Sequence, residues 1–498
     1  MTAQAIGFGA RLRHHARTRP DAVAVTVLAA DGGAEDTTWA ALDRMVDRVA
    51  HVLRARGAGE GAAAGIGLAN GLLHIATVLA CWRLGCTVMA FDPALPPAER
   101  RALLDKAGAA LAVVEDEADA PFLGRAALAA LEREAPQEEI AERIPRPGRI
   151  VLSGGSTGLP KLMADDQPWV SVPGRPWGNV ARTLGLRPDQ RQLVSAAMSH
   201  SAPLTWAQLG LFEGHHLFVL ERFDAARALD AIDAYAIQFA MVVPTMMVRM
   251  LDALPETKTT FATLEALYHT AAVCPVWLKR AWIDVLGPER VFEMYGSGEN
   301  VGQTIITGTE WLAHPGSVGK PFESEARVRG PDGTALPPGA VGELFLRRTG
   351  GGGRSRYLDP ALSFRTDAEG FTSIGDMAFL DAEGYVHLAG RRDDVINSGA
   401  VKVHPEKVEA ALLHHPDIRD AVVVGLPDRE WGERVHAVVE LRAGTPGVDL
   451  AALKAHCASR LSPAETPKGL TVVERLPRDG FGKVKRRAVR EIALAQEG

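Results

Sequence analysis

The stretch Ser153-Gly154-Gly155-Ser156-Thr157-Gly158-Leu159-Pro160-Lys161 follows the apolar run Ile150-Val151-Leu152. Three glycines among hydroxyl residues let backbone N–H groups converge on a phosphate, with the Ser and Thr hydroxyls as further donors. Lys161 closes the run as a mobile cation. The spacing is neither that of a Walker A loop nor that of a dinucleotide fingerprint. Taken alone, the run reads as readily as a flexible surface loop as it does a phosphate cradle. Its partners elsewhere in the chain decide between the two.

Working outward, the chain has 498 residues, 47% of them hydrophobic, and a net charge of −6. That length implies two to four domains at roughly 150 residues each. A mildly acidic balance offers no basic face for nucleic acid. Four scattered cysteines (Cys81, Cys86, Cys274 and Cys457) form neither a zinc-ligand pattern nor a disulfide framework. They read as buried thiols of a cytoplasmic protein. Met1 to Pro20 carries arginines but no apolar core of signal-peptide length. No run approaches the ~20 apolar residues of a spanning helix. The most apolar segment, Leu72 to Leu84, is interrupted by His74 and Arg83 and reads as a buried helix.

The first two thirds alternate helical patterns, such as Trp39 to Arg56, with short β-branched runs such as Ala22 to Val27. This favours an α/β architecture with largely parallel strands. Past Gly316 the texture changes to short strands separated by Gly/Pro-rich turns, expected to be antiparallel. After Gly390-Arg391 a charged turn leads into a self-contained α+β pattern large enough for a core of its own.

Four further segments carry chemistry. Tyr295-Gly296-Ser297-Gly298-Glu299 is a glycine-rich turn with one acid, and alone reads as no more than that. Ser373-Ile374-Gly375-Asp376 offers a carboxylate suited to two hydroxyl donors, though an isolated Asp in a turn is usually a turn former. Gly390-Arg391-Arg392-Asp393-Asp394 runs on to Ser398-Gly399-Ala400-Val401-Lys402. Leu476-Pro477-Arg478-Asp479-Gly480-Phe481-Gly482-Lys483 closes the series, and by itself is only the start of a basic tail.

Together, in this order, the five segments resemble the AMP-forming acyl- and aryl-CoA synthetase, adenylation-domain and luciferase superfamily, from about Arg19 to Lys483. The resemblance implies a large N-terminal ATP- and substrate-binding domain over 1–391, built of parallel α/β subdomains plus a β subdomain. A small mobile α+β domain over 392–498 would carry the catalytic lysine. It implies that Ser153, Gly154, Gly155, Ser156, Thr157 and Gly158 clamp the triphosphate with Lys161. Tyr295 would pack against the adenine, Gly296 and Ser297 would also bind the nucleotide, Glu299 would bind Mg²⁺, and Asp376 and Arg391 would hold the ribose. Lys483 would enter for adenylation, Asp393 would be the hinge, and Gly399 and Ala400 would border the CoA or acceptor channel. The motifs depart from the family pattern where Gly154 replaces Ser, Gly298 replaces Thr, Ala400 replaces the second glycine of the hinge motif, and Lys402 replaces its Asn.

The acyl pocket is expected near His200, His269, Thr270, Ala271 and Ala272. His-Thr-Ala-Ala stands where Ser-Gly-Gly-Ala is usual, which narrows the space and makes it more polar. A small or aromatic carboxylate fits this better than a long chain, while His269 reads equally as a core histidine. The run Glu310 to Pro321 resembles a CoA-ligase branch. The expected function is therefore acid–CoA ligation with ATP, Mg²⁺ and CoA, by a monomer or homodimer. Two alternatives stay open. One is a CoA-independent adenylating enzyme of secondary metabolism, such as an amide-forming ligase or a nitrite-activating diazotase acting on an aryl amine. The other is an inactive binding relative, against which the retained Lys161, Glu299 and Lys483 argue.

Overall fold

Helix-forming and β-branched segments alternate because neither can bury its apolar face alone, and the layers that result are two mainly parallel sheets with helices between and around them. The computed structural model describes residues 4–116, 121–153, 160–175, 177–349, 355–398, 401–429, 431–478 and 483–496. Its first sheet has seven strands. Ala63–Gly67, Thr87–Ala90, Ala109–Val114, Phe122–Gly124 and Arg149–Ser153 run parallel, and Lys161–Ala164 and Arg356–Tyr357 extend one edge antiparallel. Its second sheet has nine strands, with Val23–Leu28 inserted beside His216–Leu220 and a parallel centre through Phe239–Val242, Ala266–His269 and Val291–Gly296.

Helix Trp39–Arg54 shows why the local sequence folds as it does. Thr38 caps it by accepting the Ala41 N–H, and Trp39, Leu42, Val46, Val49 and Leu53 lie buried on one face. Helix Leu72–Arg83 is buried nearly all round, as its composition implies. Its Arg83 is neutralised by Asp43 at 2.5 Å and Asp47 at 2.7 Å from the neighbouring helix, so the buried charge is paired. Pro244 occupies the first turn of Pro244–Ala253, where its missing N–H costs nothing.

A third, antiparallel sheet of six strands includes Gly342–Arg348, Asp376–Leu380 and Val386–Arg391. The short helical turn Arg392–Asp394 then leads to a five-stranded sheet built on Ile418–Asp428, Gly432–Leu441 and Gly469–Val473. Helices Pro405–Leu412, Leu450–Cys457 and Arg486–Ala495 complete that unit, which has apolar clusters of its own around Val423 and Val438. Among the described residues no helix is long and apolar enough to cross a membrane. The four cysteines are free; Cys81, Cys86 and Cys457 are buried and Cys274 is half-buried.

Candidate active site

Register assembles the centre of the site. In the antiparallel ladder Asp376 sits opposite Arg391, which places the carboxylate Oδ1 3.1 Å from the Arg391 Nε. The strand Val291–Gly296 brings Tyr295 from the nine-stranded sheet to the same point. Its phenol donates to Asp376 Oδ2 at 2.5 Å. Burial, and the Asp376 carboxylate beside it, push the Tyr295 pKa well above its ordinary value, so the phenol stays a proton donor. Asp376 is thus fixed on both oxygens while each keeps lone-pair capacity for a further donor.

Beyond Tyr295 the chain turns through Ser297, Gly298, Glu299 and Asn300, with the Asn300 N–H donating to Ser297 O and Asn300 at φ 54°. Arg348 donates to the Asn300 side chain. Ser297 Oγ is buried without a hydrogen-bond partner. Glu299 is half-buried, and its charge raises the pKa of Tyr357, after burial, and adds to the electrostatics of Arg391. Lys161 is exposed, with its Nζ 5.6 Å from the Tyr357 ring. Lys161 thus lies close to the Tyr357 ring, and the Glu299 charge is felt there. An orphaned hydroxyl beside a half-buried carboxylate suits a hard divalent ion shared with phosphate oxygens. Glu299 would hold it.

Gly298 has a steric reason for its identity. A Cβ there would lie 2.8 Å from Val151 Cγ1 and 3.1 Å from Met163 Cε, so the space of a larger residue is already filled. Val151 lies in Arg149–Ser153, which pairs with Lys161–Ala164 so that Ser153 faces Lys161. The two ends of the glycine-rich run are thereby held side by side. Gly154, Gly155, Ser156, Thr157 and Gly158 lie outside the described residues, as do Gly399 and Ala400.

The expected pocket residues separate into two groups. His200 is half-buried at the N-cap of helix Ser201–Glu213, and Thr270 donates its hydroxyl to Met294 O at 2.8 Å, tying two strand ends together. Ala271 is exposed with φ 78°, a left-handed conformation that a Cβ disfavours, and Ala272 is half-buried. His269 instead is fully buried, with neither ring nitrogen hydrogen-bonded and Nε2 3.8 Å from Glu293. Burial, then the nearby Lys279 charge, hold it well below its usual pKa, so it is neutral. Lys279, itself fully buried, donates to Glu293 at 2.5 Å. Local sequence carries no signal for this pair, since an isolated Lys on a helix usually faces water.

Asp393 is exposed in the turn Arg392–Asp394, and Asp394 pairs with Arg486 at 3.1 Å. Arg486 also binds Glu406 and Glu409, so the turn is fastened to the C-terminal unit. Lys483 is exposed beside the bridge between Arg478 and Val484, on that same unit rather than on the sheets that carry the Tyr295–Asp376–Arg391 cluster.

The fold and this cluster define an adenylate-forming enzyme. The AMP-binding enzyme family model matches residues 12–352, and the AMP-binding enzyme C-terminal domain model matches residues 407–483. The chain belongs to the AMP-binding enzyme family. It is 29% identical over 492 residues to a 2-succinylbenzoate–CoA ligase of Geobacillus kaustophilus, covering 97% of each chain. It is 29% identical over 500 residues to a feruloyl-CoA synthase of Amycolatopsis, covering 97% of this chain and 98% of that one. Among solved structures it superposes on o-succinylbenzoate CoA synthetase from Bacillus subtilis in complex with its acyl-adenylate intermediate. The TM-score is 0.82 at 24% identity, over 98% of this chain and 99% of the other, a likeness of fold.

Proposed function

We propose that this chain adenylates a small or aromatic carboxylic acid with ATP and passes the acyl group to CoA. The observation that carries the reading is Asp376 held between Tyr295 and Arg391, with the Glu299 charge acting on Arg391 and Lys161 close to Tyr357. A carboxylate so held accepts ribose hydroxyls, and the acid and base beside it match the ends of a triphosphate.

In the first half-reaction a substrate carboxylate oxygen bonds to the α-phosphorus while the bond to the bridging oxygen of pyrophosphate breaks. Charge builds on the phosphoryl and carboxylate oxygens, and Lys483 is the lysine assigned to meet it when the C-terminal unit approaches. Mg²⁺, when bound, neutralises the triphosphate. In the second, the CoA thiol loses its proton, sulfur bonds to the acyl carbon, and AMP leaves with the former carboxylate oxygen. Rotation about Asp393 would exchange the two arrangements. Free, mostly buried thiols and the proposed use of ATP and CoA support a cytoplasmic location.

The test is pyrophosphate release with a panel of acids, with and without CoA, then with nitrite and an aryl amine. CoA-dependent consumption of an acid to a thioester is expected. Turnover that needs nitrite and ignores CoA would replace the thioester half of the proposal with diazotisation.

A further inference from the structure

Arg149 lies on the strand Arg149–Ser153, which otherwise reads as plain β-sheet core. Side chains alternate along a strand, so Arg149 and Val151 share one face. Val151 on that face abuts Gly298 of the nucleotide turn. Arg149 is therefore one pleat further from the phosphate loop on the same side, with about 13 Å of strand between its Cα and that of Ser153.

Its guanidinium is anchored at one end only. Nη1 donates to Ser201 Oγ at 2.8 Å and also to Thr205 Oγ1, both on the first turns of the helix that His200 caps. The guanidinium carbon lies 5.4 Å from the Trp169 ring and 5.7 Å from the Trp177 ring. Trp169 cannot retreat, because Gly148 is packed so tightly against it that a Cβ would come within 2.2 Å. Trp177 is braced edge-on against buried Trp206. Among the described residues no carboxylate lies within ion-pair distance of Arg149, only Nη1 of its guanidinium forms hydrogen bonds, and the residue is half-buried. Desolvation pulls the pKa of this arginine down to about 10, and Asp165 is the single opposite charge acting on it. The arginine remains a cation at neutral pH.

A guanidinium pinned through one nitrogen, walled by two indoles and unpartnered along its Nε–Nη2 edge presents two parallel N–H donors. That edge matches the two oxygens of a carboxylate, and a neutral or alkyl group there would leave it unpaired. We propose that Arg149 is a specificity-determining residue that binds a second carboxylate at the far end of the substrate, so that the preferred acid is a flat dicarboxylate. This rests on the adenylation reading for the identity of the near end, where the first carboxylate meets the nucleotide. The indole walls would stack on the body of the substrate, and the Ser201 and Thr205 hydroxyls set the angle of the fork.

Matched pairs that differ only by the distal carboxylate test this: benzoate with terephthalate, and cinnamate with 4-carboxycinnamate. Affinity measured by calorimetry is expected to favour the diacid of at least one pair by about 10- to 100-fold, the worth of a charge-assisted bidentate contact. Arg149→Gln is expected to abolish that preference, and Arg149→Lys, which keeps the charge but loses the fork, to lose most of it. Thermal melts report whether each variant folds; if Arg149→Gln does not, Arg149→Lys carries the comparison. Absence of any diacid preference in the native chain, or a preference that survives in the folded variants, would overturn the assignment. Pyrophosphate release by the native chain with the same acids judges adenylation separately, since the binding ratio does not depend on turnover.

Discussion

Tyr295 and Asp376, 81 residues apart on two different sheets, share a 2.5 Å hydrogen bond in which the phenol is the donor. That bond joins the nine-stranded sheet to the antiparallel one at the point where the nucleotide is expected. Removing it by Tyr295→Phe should raise the KM for ATP by about 3- to 10-fold with a smaller effect on kcat. Asp376→Asn, which removes the charged acceptor itself, should raise it by about 10- to 100-fold. Because the Tyr295 pKa is raised, the phenol stays protonated, and this contribution should be flat between about pH 6 and 9. Initial-rate kinetics in ATP across that range check all three.

Gly298 and Val151 give a prediction about the departure from the family pattern. Gly298→Thr restores the residue expected by resemblance, yet its Cβ would sit 2.8 Å from Val151 Cγ1. It should destabilise the protein by about 1–3 kcal/mol, the cost of overpacking, and lower the melting temperature. Val151→Ala in the same chain removes the offending methyl groups and should recover part of the loss. A double-mutant cycle of thermal melts measures the coupling.

The buried pair Lys279–Glu293 stands behind the strand ends that carry Thr270 and Tyr295. Lys279→Met leaves the Glu293 charge uncompensated among buried groups, and should cost about 3–5 kcal/mol. Lys279→Met with Glu293→Leu removes both charges and should regain most of that stability. Chemical denaturation of the three variants distinguishes an ion pair that matters for its partner from one that matters for the site.

The proposed nucleotide half of this site is legible in the sequence because each residue type suits the group it is expected to meet. A carboxylate for hydroxyls and a glycine-rich run for phosphates recur at spacings that a reader can match. The pairing of Asp376 with Arg391 also follows from register once two strands flank the Asp381–Gly384 turn. The substrate half is different. Arg149 is one charge in an apolar strand, and its hydroxyl anchors at Ser201 and Thr205 lie more than fifty residues away. Nor does spacing reveal that Val151 fills the volume beside Gly298, or that Lys279 turns inward to Glu293. Such contacts are made by packing between sheets, which local pattern does not encode. His269 illustrates the same limit: identity alone leaves open a pocket wall and a core position, and the fold puts it in the core.

The most direct test of the central claim separates the two half-reactions in Lys483→Ala. Acid-dependent pyrophosphate release by the native chain, falling by at least about 100-fold in this variant, is the predicted result. Thioester formation from supplied acyl-adenylate and CoA should be largely retained. Equal loss of both steps, or pyrophosphate release that does not depend on an acid, would contradict the account.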